Sequence, residues 1–283
     1  MIRHRRYRYK GMIKWMAVLA IAFLYHENFS LTTTYYTLVD EKIPQDFDDF
    51  RIVQLSDLHN TSFGVNQRDL LRKINEADPD IIVITGDLID SYVTNIDIAM
   101  ELVEGAVKIA PVYYVGGNHE ARMENPSDFF DQLEANGVMI LHDQKTSLKR
   151  GSSSIDLLGL SEPTFGFAYE GTSDLRETLR RLTEETTTFT ILLSHHPELL
   201  DVIADYPVDL VFSGHAHGGQ VRIPFLMDGL IAPDQGFFPE FTSGIYQDRN
   251  TKEIVSRGLG NSILPFRVFN RPEIVVVTLK SKK

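Results

Sequence analysis

Short polar motifs recur directly behind apolar, strand-like runs, and this pairing restricts the chain more than any other feature. The runs are Arg51–Leu55, Asp80–Thr85, Pro111–Val115, Phe189–Leu193 and Val208–Phe212. Behind them stand Asp57-Leu58-His59, Gly86-Asp87, Gly117-Asn118-His119-Glu120, His195-His196-Pro197 and Gly214-His215-Ala216-His217. Six of the nine histidines fall in these motifs. A continuous run such as Asp-Ile-Ile-Val-Ile-Thr predicts a strand buried on both faces. Helical spacing separates the runs, at Asn66–Ala77, Ile96–Ile109, Ser127–Asn136 and Asp174–Glu184, with a shorter helix at Glu198–Asp205. Gly137 marks a helix C-terminus. Alternating strands and helices predict an α/β layered fold whose polar motifs gather at the C-terminal ends of the strands. Further strands are expected at Ile155–Leu160, Gln220–Ile223, Ile254–Arg257 and Glu273–Leu279. Lys145–Ser154, polar with Gly and Ser, reads as a loop between halves of one domain.

The N-terminus is a separate object. Its first 26 residues hold Arg3, Arg5, Arg6, Arg8, Lys10 and Lys14 and no acidic residue. The remainder has 22 basic and 39 acidic side chains, so a net charge of -11 conceals a body at -17. An acidic body lacks the cations that neutralise phosphates, and no nucleic-acid partner is expected. Trp15–Tyr25 is uncharged and mostly apolar; as a helix it covers roughly 16 Å, against about 30 Å of hydrocarbon in a bilayer. That suits a signal-peptide core or a short signal anchor. The basic flank would stay cytoplasmic, placing the body outside the cell membrane. The alternative is a helix lying on the inner leaflet. Two segments follow: 1–30, basic N-terminus plus hydrophobic signal or anchor, and 45–283, catalytic domain.

Asp57 and His59, two apart on extended backbone, share a face, as do His215 and His217. Gly86 lets backbone approach Asp87 closely. With no cysteine in the chain, any metal must be held by N and O donors. Carboxylates, imidazoles and one amide oxygen suit Mn, Fe or Zn better than Ca or Mg alone. Each motif by itself has a plainer explanation: Gly-Asp a turn, His-x-His a strand surface, Gly-Asn-His-Glu a helix cap. Their order, each behind a strand, is what carries the metal reading.

In that order, D-x-H, G-D, G-N-H-E, H-x-P and G-H-x-H, the chain over residues 51–217 resembles the calcineurin-like metallophosphoesterase superfamily. Gly-Gly-Gln-Val-Arg-Ile-Pro downstream resembles a bacterial membrane-associated branch of phosphodiesterases and UDP-2,3-diacylglucosamine hydrolase-like enzymes. The resemblance implies a four-layer αββα sandwich of two mixed β-sheets flanked by helices, with two metal ions at the sheet edges. One metal would be held by Asp57, His59, Asp87 and His217, the other by Asp87, Asn118, His195 and His215, with Asp87 bridging. His119 and Asp90 would be catalytic, with His119 giving a proton to the leaving oxygen and Asp90 hydrogen-bonded to it. Purple acid phosphatases carry Tyr where this chain has Asp90, so that subfamily does not fit. His195 is the expected ligand of the His195-His196 pair, with His196 facing substrate or solvent.

The implied activity is hydrolysis of a phosphodiester or pyrophosphate bond by attack of a metal-bridging hydroxide. The alternatives are a phosphomonoesterase or phosphoprotein phosphatase, and a non-catalytic scaffold of the same fold. Phe225, Leu226, Phe237, Phe238 and Phe241, within Pro224–Tyr246, suggest a loop over the site for a lipid-linked substrate; the alternative is that these aromatics pack the second sheet.

Overall fold

A computed structural model describes residues 2–162, 172–262 and 264–282, with the side chains of 2–10 and 172–174 excepted. Two six-stranded sheets form its centre. The first runs in the order β1-β14-β2-β3-β4-β5 and the second β12-β13-β9-β8-β7-β6. The first comprises β1 (Thr32–Asp40), β2 (Arg51–Leu55), β3 (Ile81–Thr85), β4 (Val112–Val115), β5 (Met139–Ile140) and β14 (Glu273–Ser281). The second comprises β6 (Gln144–Arg150), β7 (Ser153–Gly159), β8 (Thr190–Leu193), β9 (Leu210–Ser213), β12 (Gly244–Asp248) and β13 (Thr251–Val255). A two-stranded ribbon, β10 (Ile231–Ala232) with β11 (Gly236–Phe237), lies apart. The helices are α1 (Ile2–Phe29), α2 (Arg68–Ala77), α3 (Ile96–Ala106), α4 (Asn118–Ala121), α5 (Pro126–Ala135), α6 (Thr172–Thr183) and α7 (Leu200–Ile203).

Strand periodicity explains the layers, because successive side chains point to opposite faces. Along β3, Ile82 and Ile84 pack with Leu70 and Ile74 of α2 and Leu102 and Val103 of α3. Ile81 and Val83 turn the other way, into a core shared with Ile191 and Leu193 of β8 and Phe212 of β9. Along β8, Leu192 points outward to Leu175, Leu179 and Leu182 of α6. The result is helix, sheet, sheet, helix, the αββα sandwich expected from the resemblance. Strands β2, β3 and β4 are mutually parallel, as are β7, β8 and β9, so their C-terminal ends open toward one edge of each sheet.

Several segments depart from the sequence reading, among them the following. Lys145–Ser154 is not a loop but most of the antiparallel hairpin β6–β7. It looks polar because β6 is an edge strand with only Leu148 buried. Gln220–Ile223 forms no strand, only single bridges at Val221 and Ile223. An unforeseen strand, β1, pairs in parallel with β14 over nine residues.

The apolar N-terminal segment is helical, and α1 spans 28 residues. Among the described residues no helix is long and apolar enough to cross a membrane. The end of α1 is fixed to the body: Glu27 accepts from the Asn270 N–H (2.9 Å) and Asn28 from the Arg267 N–H (2.9 Å).

Candidate metal centre

The loops that leave β2, β3, β4, β8 and β9 meet over the seam between the sheets and carry the motif residues. Short bonds hold them in register. Asp57 N–H donates to the Gly86 carbonyl (3.0 Å), His59 N–H to the Asp87 carbonyl (3.1 Å) and Gly214 N–H to the His195 carbonyl (3.1 Å). Gln54 ties the two sheets together by donating to Thr85 Oγ1 (3.1 Å) and to the Ser213 carbonyl (2.7 Å). Asp57, His59, Asp87, His215 and His217 all have φ between 44° and 65°. Left-handed backbone is uncommon for residues other than Gly, and its concentration here is the kind of strain that surrounding structure maintains at functional sites.

All seven candidate metal-binding residues come together, and all are buried. Ligand atoms of Asp57, His59 and His217 lie within 4.8 Å of one another, and so do those of Asp87, His195 and His215. Asp87 stands between the groups, its Oδ2 3.5 Å from His59 Nε2 and 3.2 Å from His195 Nε2. Asn118 Oδ1 is 3.1 Å from His195 Nε2. This oxygen lies among acceptors, a contact a cation would satisfy, while the amide nitrogen faces Arg122.

The outer partners of the imidazoles decide whether this donor set fits metal. His195 Nδ1 lies 2.7 Å from the Thr85 carbonyl, His217 Nδ1 3.3 Å from the Gly260 carbonyl and His215 Nε2 2.8 Å from Asp234 Oδ2. Carbonyls and carboxylates only accept, so each fixes the proton on the outer nitrogen and leaves the inner one a lone pair. The inner nitrogens crowd together, His59 Nε2 to His217 Nε2 at 3.2 Å and His195 Nε2 to His215 Nδ1 at 3.2 Å. The lone pairs of His215 Nδ1 and His217 Nε2, gathered with two carboxylates in a buried site, suit cations. The residues therefore fit two metal ions.

Protonation agrees with this in part. Burial pushes His59 down to about 3 and His217 well below the usual imidazole range, and it also lowers His215. Burial alone would lower His195, but the charge and hydrogen bond of Asp87 outweigh it and hold a proton there. Burial raises Asp57 to about 6. Metal entering this site must displace such protons, as is general for carboxylate and imidazole sites.

His119 borders both groups, its ring centre 4.5 Å from that of His59. The Ser91 N–H donates to His119 Nδ1 (3.0 Å). In the neutral ring the proton is consequently on Nε2, 3.5 Å from Ser262 Oγ. Burial lowers His119, keeping the ring neutral. Asp90 does not make the expected hydrogen bond to His119. Its Oδ1 instead accepts from the Tyr92 and Val93 N–H groups (2.7 and 3.3 Å), bending the 90–93 turn that presents Ser91. Its carboxylate still lies near His119 and opposes the effect of burial there.

His196 also departs from expectation. Rather than facing substrate or solvent, its Nε2 contacts Glu162 (3.0 Å) and its ring lies 4.2 Å from that of His215. Although burial opposes it, the hydrogen bonds to Glu162 and Glu198 raise His196 to about 9. Glu120, in a motif but without an assigned task, accepts N–H bonds from Asp87 (2.8 Å), Gly117 (2.8 Å) and Ile89 (3.1 Å). It ties the β3 and β4 loops together. Asp234 and Arg267 were not legible, since no motif surrounds them. Arg267, fully buried, donates to the Gly260 carbonyl that also faces His217.

A cavity of about 460 Å³ opens over the centre, lined by Asp87, Asn118, His119, Arg122, His215 and His217 and rimmed by Tyr92, Asp234 and Ser262. The aromatic segment does not seal it and reaches the second sheet only through Phe241. Phe225, Leu226, Phe237 and Phe238 are exposed, and only Phe241 packs, against Tyr246 (5.0 Å).

Residues 50–219 match the family model described as calcineurin-like phosphoesterase. The chain is 36% identical over 271 residues to an uncharacterized metallophosphoesterase, YkuE, of Bacillus subtilis, covering 91% of this chain and 88% of that protein. It is 33% identical over 278 residues to an uncharacterized metallophosphoesterase of Campylobacter jejuni, covering 95% of this chain and 69% of the other. A Danio rerio protein called a transmembrane protein with metallophosphoesterase domain is 29% identical over 250 residues, covering 85% of this chain and 55% of its own length. The chain belongs to the calcineurin-like phosphoesterase family. It is a phosphoester hydrolase of a typically two-metal type. The UDP-2,3-diacylglucosamine hydrolase branch receives no support from these relatives.

Proposed function

We propose that the enzyme hydrolyses a phosphodiester or pyrophosphate bond at a two-metal centre. Asp57, His59, Asp87 and His217 would hold one ion, and Asp87, Asn118, His195 and His215 the other. The observation that carries this reading is the tautomer pattern: three imidazoles are pinned from outside so that their free nitrogens face the two carboxylates. Bound metals supply Lewis-acid charge and lower the pKa of water from 15.7 toward about 7.

The chain's own residues do the rest. His119, with Nε2–H aimed into the cavity, donates a proton to the leaving oxygen, and Ser91 holds its tautomer from behind. Asp90 acts on His119 through charge and through the turn that places Ser91. Arg122 is the fixed cation among the described cavity-lining residues and anchors a non-bridging phosphate oxygen.

A membrane-borne, lipid-linked substrate is the reading that the apolar α1 and the exposed aromatics of 225–238 support, and the Danio rerio relative is named for its transmembrane character. The body would then sit at the cell membrane, on its outer side by the basic flank of α1.

Metal content and turnover of bis-p-nitrophenyl phosphate against p-nitrophenyl phosphate test the reading. His119→Ala should retain metal and lose about 10²–10⁴-fold in kcat. Asp87→Asn should lose the metal itself. Equal metal loss in both variants would refute this division of labour, and faster monoester turnover would reassign the substrate class.

A further inference from the structure

At the foot of α1 the molecule displays a second apolar feature, built from a different part of the chain. Ile223 and Met227 close a turn with reciprocal N–H···O bonds of 2.9 Å each. Phe225, at its tip, adopts φ 66° and is fully exposed; Leu226 beside it is 81% exposed. A bulky residue in left-handed backbone is costly, so this turn displays its phenylalanine against a local preference. Pro224 of the turn lines a cleft of about 390 Å³ with His26 and Glu27 of α1 and with Arg257, Phe269 and Arg271. Phe269 is half exposed and meets Phe23 of α1 edge-on at 5.2 Å.

We propose that this cleft and the 223–227 turn form a membrane seat, in which Phe225 and Leu226 enter the bilayer and Arg271 binds the phosphate of an anionic phospholipid. The proposal rests on the reading that α1 meets a bilayer. Met12, Ile13, Trp15, Met16, Leu19 and Ile21 of α1 are all exposed. At about 100° per residue they occupy the whole circumference of the helix, which a groove on a protein would cover on one side only. A bilayer covers every side. Charge favours an anionic surface at the helix, whose first 26 residues carry six cations and no acidic side chain.

Within the cleft, Arg257 is held by Glu273 (2.9 Å), but Arg271 has no hydrogen bond or ion pair among the described residues. It is the guanidinium available to a headgroup. Loop 257–271 also carries Ser262 at the rim of the catalytic cavity, so the seat and the metal centre share one segment.

Trp15 is the single tryptophan, which permits a clean test in the full chain. The native protein reports α1, and the double variant Trp15→Phe/Phe225→Trp reports the turn. Both are mixed with phosphatidylcholine–phosphatidylglycerol vesicles with and without brominated acyl chains. The expected result is a blue shift and bromine quenching for both reporters. Quenching of Trp15 with a water-exposed reporter at position 225 overturns the seat and leaves the α1 reading standing. No quenching of either removes both. A blue shift at position 225 that grows with protein concentration in the absence of vesicles assigns the patch to a second copy and overturns the proposal. Arg271→Glu should weaken binding to phosphatidylglycerol-containing vesicles about tenfold and leave phosphatidylcholine binding unchanged; equal binding to both overturns the headgroup site.

Discussion

At the scale of single residues, the centre is governed by where protons are held. Three imidazoles are oriented by acceptors outside the metal groups, whereas His119 is oriented by a donor, the Ser91 N–H, and so points a proton inward. That contrast separates holding metal from moving a proton, and residue type alone does not reveal it. Away from the site, Glu253 on β13 is fully buried. Burial, with the charge of Glu198 adding to it, raises its carboxyl well above the usual range, and the Ser213 hydroxyl offsets this only in part. A carboxyl with a raised folded pKa contributes stability below its unfolded value of about 4.3, and that stability is lost as pH rises toward the folded value. Glu253→Gln should therefore melt close to the native protein near pH 4.5 and above it at pH 8, a divergence read by calorimetry across pH. Parallel melting curves would mean that Glu253 titrates normally.

At the scale of elements, the strand-to-loop transitions set the site. Gly86 has φ 89°, and a Cβ there would sit 2.6 Å from His195 Nδ1 and 2.7 Å from the Gly117 nitrogen. Gly86→Ala should displace His195 from the Thr85 carbonyl and weaken metal uptake about tenfold, corresponding to roughly 1–3 kcal/mol of backbone strain. Metal titration followed by thermal shift checks this. The central strands were legible because burial on both faces leaves an uninterrupted apolar record, as in Ile81–Thr85. Edge strands leave none. In β1 only Leu38 is buried and in β6 only Leu148, so Thr32–Asp40 carries no strand signal and Lys145–Ser154 resembles a loop. The motif residues were legible through their order behind strands. Asp234, Glu162 and Arg267 act from segments with no recurring spacing, and only the folded geometry brings them to the histidines.

For the whole molecule, the two sheets share one interior. Phe212 is fully buried among Val83, Ile191 and Val275, which come from both sheets. Phe212→Ala should cost about 3–5 kcal/mol. Denaturant unfolding should show that loss in one transition, because neither sheet retains an inner face alone. Two separated transitions would mean that the sheets unfold independently.

The nine-residue pairing of β1 with β14 bears on how the body carries its N-terminal helix. A pull transmitted along α1 enters β1 lengthwise and loads every rung of that ladder in shear. The same helix end grips the backbone of Asn270, whose side chain donates to the His217 carbonyl (2.7 Å), so whatever part of that pull the ladder does not absorb arrives at the histidine loop.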